Sequence, residues 1–142
     1  MNKMTEQPIT GVTGTGFTGL NQLSEDEFFE VGKRLSDMER GMQWCIGDWY
    51  NAIPAGKGNK YDSADGKKKA CEEVGLSFTY ARDCGWVADK FTMSSRNDEV
   101  KFNHHKMLAI EALTDGQRLD LLKQAEAEGW SSSRLKTERD AV

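Results

Sequence analysis

"KACEEVGLSFTYARDCGWVADKF", residues 69–91, decides how this chain is read. Ala70 and Cys71 are small, four to five residues before Gly75. Val74 and Leu76 flank that glycine as apolar wedges. A helix-turn-helix needs this order: small residues where the helices cross, a glycine free to take positive φ in the turn, then apolar residues holding the second helix down. Ser77 stands where it can cap the second helix, and Ala81, Cys84 and Val87 or Ala88 supply its inward face. The outward face then carries Ser77, Thr79, Tyr80, Arg82 and Asp83, with Phe78 near the turn. Hydroxyls and a guanidinium at the front of a helix suit phosphates and base edges in a major groove. The same pattern also serves an ordinary helical hairpin in a bundle.

Working outward, Lys67, Lys68 and Lys69 form the densest basic stretch, at the start of the supporting helix where backbone phosphates would pass. Before them, residues 54–66 ("PAGKGNKYDSADG") read as a polar linker. After the hairpin, "VKFNHHKMLAIEAL" (100–113) predicts a short amphipathic helix starting near Asn103, its apolar face made by Met107, Leu108, Ile110 and Leu113. Thr114 with Gln117 predicts a capping box for a helix from about Asp115 to Glu128, ended by Gly129 and burying Leu119, Leu122 and Ala125. A last helix follows, capped by Ser131 or Ser132 and packed through Trp130 and Leu135.

Upstream lies one long helix, expected from about Glu25 to Ile53. Ser24 and Glu27 make a capping box, and three acidic residues suit the positive end of the helix dipole. Phe28, Val31, Leu35, Met38, Met42, Cys45 and Trp49 recur at alternating steps of three and four. Such a seam packs either against the chain's own core or against a second copy in a homodimer.

Gly14-x-Gly16-x-x-Gly19 has the spacing of a dinucleotide-binding turn. That turn needs a buried strand before it and a helix behind it. The preceding "MNKMTEQPIT" is polar and carries Pro8, so residues 1–23 read as a flexible arm and no nucleotide cofactor is expected.

The expected fold is all-α: the arm (1–23), the long helix (24–53), the linker (54–66) and a helix-turn-helix multi-helix domain (67–142). A net charge of −4 argues against a DNA binder that uses its whole surface and leaves room for a local basic patch. There is no 18-residue apolar run, so no membrane span is expected. Cys45, Cys71 and Cys84 lack CxxC spacing, which points to reduced thiols in the cytoplasm and to no metal centre. His104 and His105 are adjacent, about 100° apart on a helix, and so unsuited to share one ion. No nucleophile–base–acid set is evident, and a non-enzymatic role is expected.

The stretches "ACEEVGLSFTYARDCGWVADKF", "NHHKMLAIEAL" (103–113) and "WSSSRLKTE" (130–138) follow one another in an order that resembles the DNA-binding domain of ParB/KorB-type plasmid-partition and repressor proteins. The amino-terminal half is similar to another group. Thr18-Gly19-Leu20, Leu23-Ser24, Phe29, Gly32, Leu35, Met38-Glu39, Gln43-Trp44 and Ile46-Gly47-Asp48-Trp49 resemble LmbU-type regulators of actinomycete antibiotic clusters and their phage and plasmid relatives. The arginine-rich nucleotide motif of partition proteins is not found, so the resemblance implies no CTP hydrolysis. It implies a regulator that binds double-stranded DNA as a homodimer. Ser77, Phe78, Thr79 and Arg82 would face DNA, and the region of His104, His105 and Lys106 would meet the backbone. The alternative is a module that binds a host or partner protein, which the acidic net charge favours.

Overall fold

A computed structural model describes residues 11–142. The first ten residues of the expected arm lie outside the described residues. Among the described residues the protein is all-α apart from one small hairpin, with a long helix followed by five shorter ones. Two compact units are distinguished, Met1–Met42 and Gln43–Val142.

In the first unit, β1 (Val12–Thr13) and β2 (Gly16–Phe17) pair antiparallel, Val12 opposite Phe17 and Thr13 opposite Gly16. Gly14 and Thr15 are the loop between them. The glycine spacing thus serves a tight reversal, and the strand–turn–helix that grips a pyrophosphate is not built from these residues. A 3₁₀ turn, Leu20–Gln22, leads into α1 (Glu25–Asn51). The capping box forms: Glu27 N–H donates to Ser24 Oγ at 3.2 Å, and Ser24 N–H donates to Glu27 Oε1 at 3.0 Å. α1 stops at Asn51, two residues before the expected Ile53, whose side chain is buried after the helix has unwound.

In the second unit, α2 (Gly66–Val74) and α3 (Phe78–Lys90) are joined by three residues. Then come α4 (Phe102–Leu108), α5 (Asp115–Glu128) and α6 (Ser132–Asp140). The main core gathers Cys84, Val87 and Phe91 with Phe102, Leu108, Leu113, Leu121, Leu122, Ala125 and Leu135. A second cluster under the turn holds Ile53, Ala70, Cys71 and Ala81.

The last stretch of α1 meets α3 at glycines on both sides. A Cβ on Gly47 would sit 2.7 Å from the Cys84 carbonyl carbon and 2.9 Å from Ala88 Cβ. A Cβ on Gly85 would sit 2.7 Å from the Tyr50 ring and 2.9 Å from Asn51 Oδ1. Two helical backbones can approach this closely only where side chains are missing, which offsets the poor helix propensity of glycine. Asn51 Nδ2 fastens the crossing by donating to Gly85 O at 2.9 Å.

Two details of the carboxy-terminal helices differ from the sequence reading. α4 spans seven residues and its last carbonyls are captured: Arg118 donates to Leu108 O at 3.0 Å and Arg139 to Met107 O at 2.8 Å, while Arg118 also donates to Ile110 O, just beyond the helix, at 2.7 Å. α5 keeps its predicted caps, Thr114 with Gln117 at the front and Gly129 at φ 66° behind. Its buried face, however, holds Arg118, Leu121, Leu122 and Ala125, while Leu119 stays exposed.

Candidate nucleic-acid interface

The site is built on the turn between α2 and α3. Gly75 ends α2 at φ 79°, ψ 20°. Its N–H donates back to Glu72 O at 3.2 Å, and Leu76 N–H reaches Cys71 O at 3.0 Å, the paired bonds of a helix stopped by a left-handed residue. No neighbouring atom crowds the glycine, so the backbone angle alone calls for it. Ser77 then caps α3, its Oγ accepting from Tyr80 N–H at 3.3 Å. Ala81, Cys84, Gly85, Val87 and Ala88 face inward. Burial raises the Cys84 thiol pKa, in keeping with a packing role.

The opposite face is open to solvent. Ser77, Thr79 and Arg82 are exposed, and Phe78 is half-buried against Tyr50, ring centres 6.2 Å apart. The Arg82 guanidinium lies over the Phe78 ring at 5.6 Å and pairs with Asp83 at 3.3 Å. Tyr80 leans to the side: burial raises its phenol pKa, and the Cys84 thiol beside it adds to the shift. Lys68 and Lys69 are exposed, and Lys69 pairs with Asp65 at 3.5 Å. Lys67 turns back, its ammonium 3.3 Å from Tyr50 O and 4.6 Å from the Tyr50 ring centre. It caps the end of α1 and stands apart from its two neighbours. Exposed pairs such as Lys69–Asp65 and Arg82–Asp83 are weak and screened by salt, so phosphate can compete for them.

Trp86 and Lys90 belong to this face and were not singled out from the sequence. Trp86 follows Arg82 by four residues and is 45% exposed; its indole N–H donates to Ala109 O. Lys90 lies over the Trp86 ring at 4.4 Å and pairs with Glu111 at 2.8 Å. The helical period running on from Thr79 and Arg82 was the available signal.

The second block of expected contacts is corrected. His105 is fully buried and His104 only 8% exposed. His105 Nδ1 donates to Lys101 O at 3.0 Å, and its Nε2 accepts from Asn97 N–H at 3.0 Å. His104 Nδ1 accepts from Lys101 N–H at 3.3 Å, and its Nε2 donates to Trp130 O at 2.8 Å. All four ring nitrogens bond within the chain, so neither imidazole is placed to meet a phosphate. Trp44, Phe91 and His105 meet edge to face, with the His105 ring 4.8 Å from Trp44 and 4.9 Å from Phe91. Desolvation there lowers the His105 pKa from 6.5 to about 4. Only Lys106 of this block is exposed.

Arg96 was also missed. It holds Asp48 through two bonds of 2.8 Å and reaches Ala88 O at 3.1 Å and Phe91 O at 3.0 Å. Those bonds lower the Asp48 pKa. Its partner lies 48 residues away, a separation no local pattern spans.

The chain is similar to the transcriptional regulator NovE of Streptomyces niveus, with 29% identity over 114 residues. That stretch covers 80% of this chain and 49% of NovE, so the chain spans about half the length of that relative. No family model and no solved structure matches. Among the described residues, no helix is long and apolar enough to cross a membrane.

Proposed function

We propose that this protein is a non-enzymatic, cytoplasmic transcriptional regulator that binds double-stranded DNA, with α2, the Gly75 turn and α3 acting as a helix-turn-helix. One observation carries the reading: Ser77, Thr79 and Arg82 stand exposed at the front of α3 while the other side of that helix is sealed in the core. The likeness to a transcriptional regulator supports it. Thr79 and Arg82 read or position bases, Ser77 fixes the first turn of the helix, and Lys68, Lys69 and Lys106 hold phosphates. Phe78 and Lys67 support Arg82 and the end of α1 from behind. The exposed stripe of α1 brings two copies together on a symmetric operator.

The test is a gel-shift with DNA from upstream of the protein's own gene. We expect a shift that weakens steeply with salt and weakens roughly ten- to hundredfold in Arg82→Ala. Absence of a salt-sensitive shift would remove the reading.

A second reading, a module for a protein partner, is favoured by one observation. Cys45, Ile46, Trp49, Val74 and Leu76 line an open apolar groove of about 330 Å³ beside the turn, and Val74 is 59% exposed. Under that reading Val74→Asp blocks function and Arg82→Ala does not.

A further inference from the structure

A cavity of about 590 Å³ lies between α5 and the segment that follows α3, residues 92–98. Its volume falls within the range of small-molecule sites, roughly 300–1,000 Å³. Phe91 and Leu122 line its depth, and both are almost fully buried. Leu119 lines one wall and is 37% exposed. It stands one turn before Leu122 on the same side of α5, so the helical period marks it for the core. It borders the cavity instead, and the apolar wall it forms is open to an occupant.

The walls are fixed from within the chain. On one side Arg96 holds Asp48 through two bonds of 2.8 Å and reaches Ala88 O and Phe91 O. On the other, Arg118 donates to Leu108 O, Ile110 O and Asp115. Both guanidiniums spend their donors on their own chain, so the cavity is formed before anything enters it.

The same bonds set the charge. Asp48 neutralises Arg96, Asp115 neutralises Arg118 and Glu111 neutralises Lys90. At the exposed rim Lys123 and Asp98 add one charge of each sign. An ion entering here would lose hydration without a surplus of opposite charge to replace it. What the cavity offers is apolar surface on Phe91, Leu119 and Leu122. At its mouth stand the exposed hydroxyls of Thr92 and Ser94, which can accept a hydrogen bond.

We propose that this cavity is a binding site for a small uncharged molecule, one with an apolar ring body and a hydrogen-bond donor at its edge. The probe is N-phenyl-1-naphthylamine, a neutral ring-bodied amine whose fluorescence rises in apolar surroundings, titrated into the full chain. We expect saturable binding at one site per chain. Leu119→Trp fills the cavity from α5 and should abolish that binding. Ser94→Trp narrows it from the opposite side and should weaken binding roughly tenfold or more. Both positions are exposed, so the melting midpoint should stay nearly constant in each variant. The same rings carrying a sulfonate, 8-anilinonaphthalene-1-sulfonate, should bind roughly tenfold more weakly than the neutral probe. Absence of saturable binding overturns the proposal. So does binding that neither tryptophan changes, and its loss in Met42→Glu would then place the probe on the exposed stripe of α1. Equal or tighter binding of the sulfonate overturns the uncharged class.

Discussion

Two blocks of this chain were expected to touch DNA, and they end in opposite places. Ser77 to Arg82 sits at the exposed front of α3; His104 and His105 lie inside the core. Both begin a helix, and both are polar. The difference lies in where their hydrogen bonds go. Ser77 satisfies only the backbone of its own first turn, which any N-cap does without leaving the surface. Each histidine bonds Lys101 at the start of its own helix, but its second ring nitrogen is satisfied only from beyond that helix, by the Asn97 N–H for His105 and by the Trp130 carbonyl for His104. A polar residue that completes its bonding locally can remain at the surface, whereas one completed by distant backbone is drawn inside.

The sharpest way to break this contrast is to empty the core position. His105→Ala should lower the unfolding free energy by roughly 3–5 kcal/mol, because it leaves a cavity among aromatic rings and strips the Asn97 N–H of its acceptor. Chemical denaturation measures it. A loss near zero would mean that the ring is not part of the core.

Acid probes the same ring without mutation. The folded pKa of His105, about 4, lies below the ordinary 6.5. Between those values the unfolded chain binds the extra proton and the folded chain does not. The contribution is therefore complete above pH 6.5 and is lost as pH falls toward 4, by roughly 3 kcal/mol. The nearby Arg96 guanidinium also lowers this pKa and so acts in the same direction. Melting curves from pH 7 to 4 should show the decline, and His105→Gln should flatten this part of it.

The exposed block should respond the other way. Arg82→Ala is expected to cost DNA affinity about 1–3 kcal/mol while the melting midpoint stays nearly constant. A large fall in the midpoint would make Arg82 a structural residue and dissolve the distinction. Ser77→Ala lies between the two, with about 1 kcal/mol of stability lost from the cap. Ser77→Asp should restore that stability but not DNA binding, since it sets an added negative charge against phosphate.

What was legible in the sequence follows the same division between local and distant. Ser24 with Glu27, Gly75, Ser77, Thr114 with Gln117, Gly129 and Ser131 each act within one turn of where they stand, and each does what its position predicted. The inward face of α3 was readable for the same reason. Choosing among Leu119, Leu121 and Leu122 was harder: with apolar residues so close together, the period alone does not fix the buried face, and Leu119 proved exposed. The last carbonyls of α4 go to Arg118 and Arg139, which arrive from later helices. Gly47 and Gly85 did carry a signal, as glycines inside helices, but read alone they suggest only weak helicity. Their meaning appears when the two are put face to face.

The bond from the Asn97 amide to His105 Nε2 has a consequence for motion. Asn97 lies in the irregular segment between α3 and α4, where amides ordinarily trade their hydrogens with water in seconds. Here the acceptor is a ring locked among Trp44 and Phe91. That one loop amide should hold its hydrogen as long as the slowest helical sites do, releasing it only when the whole domain opens.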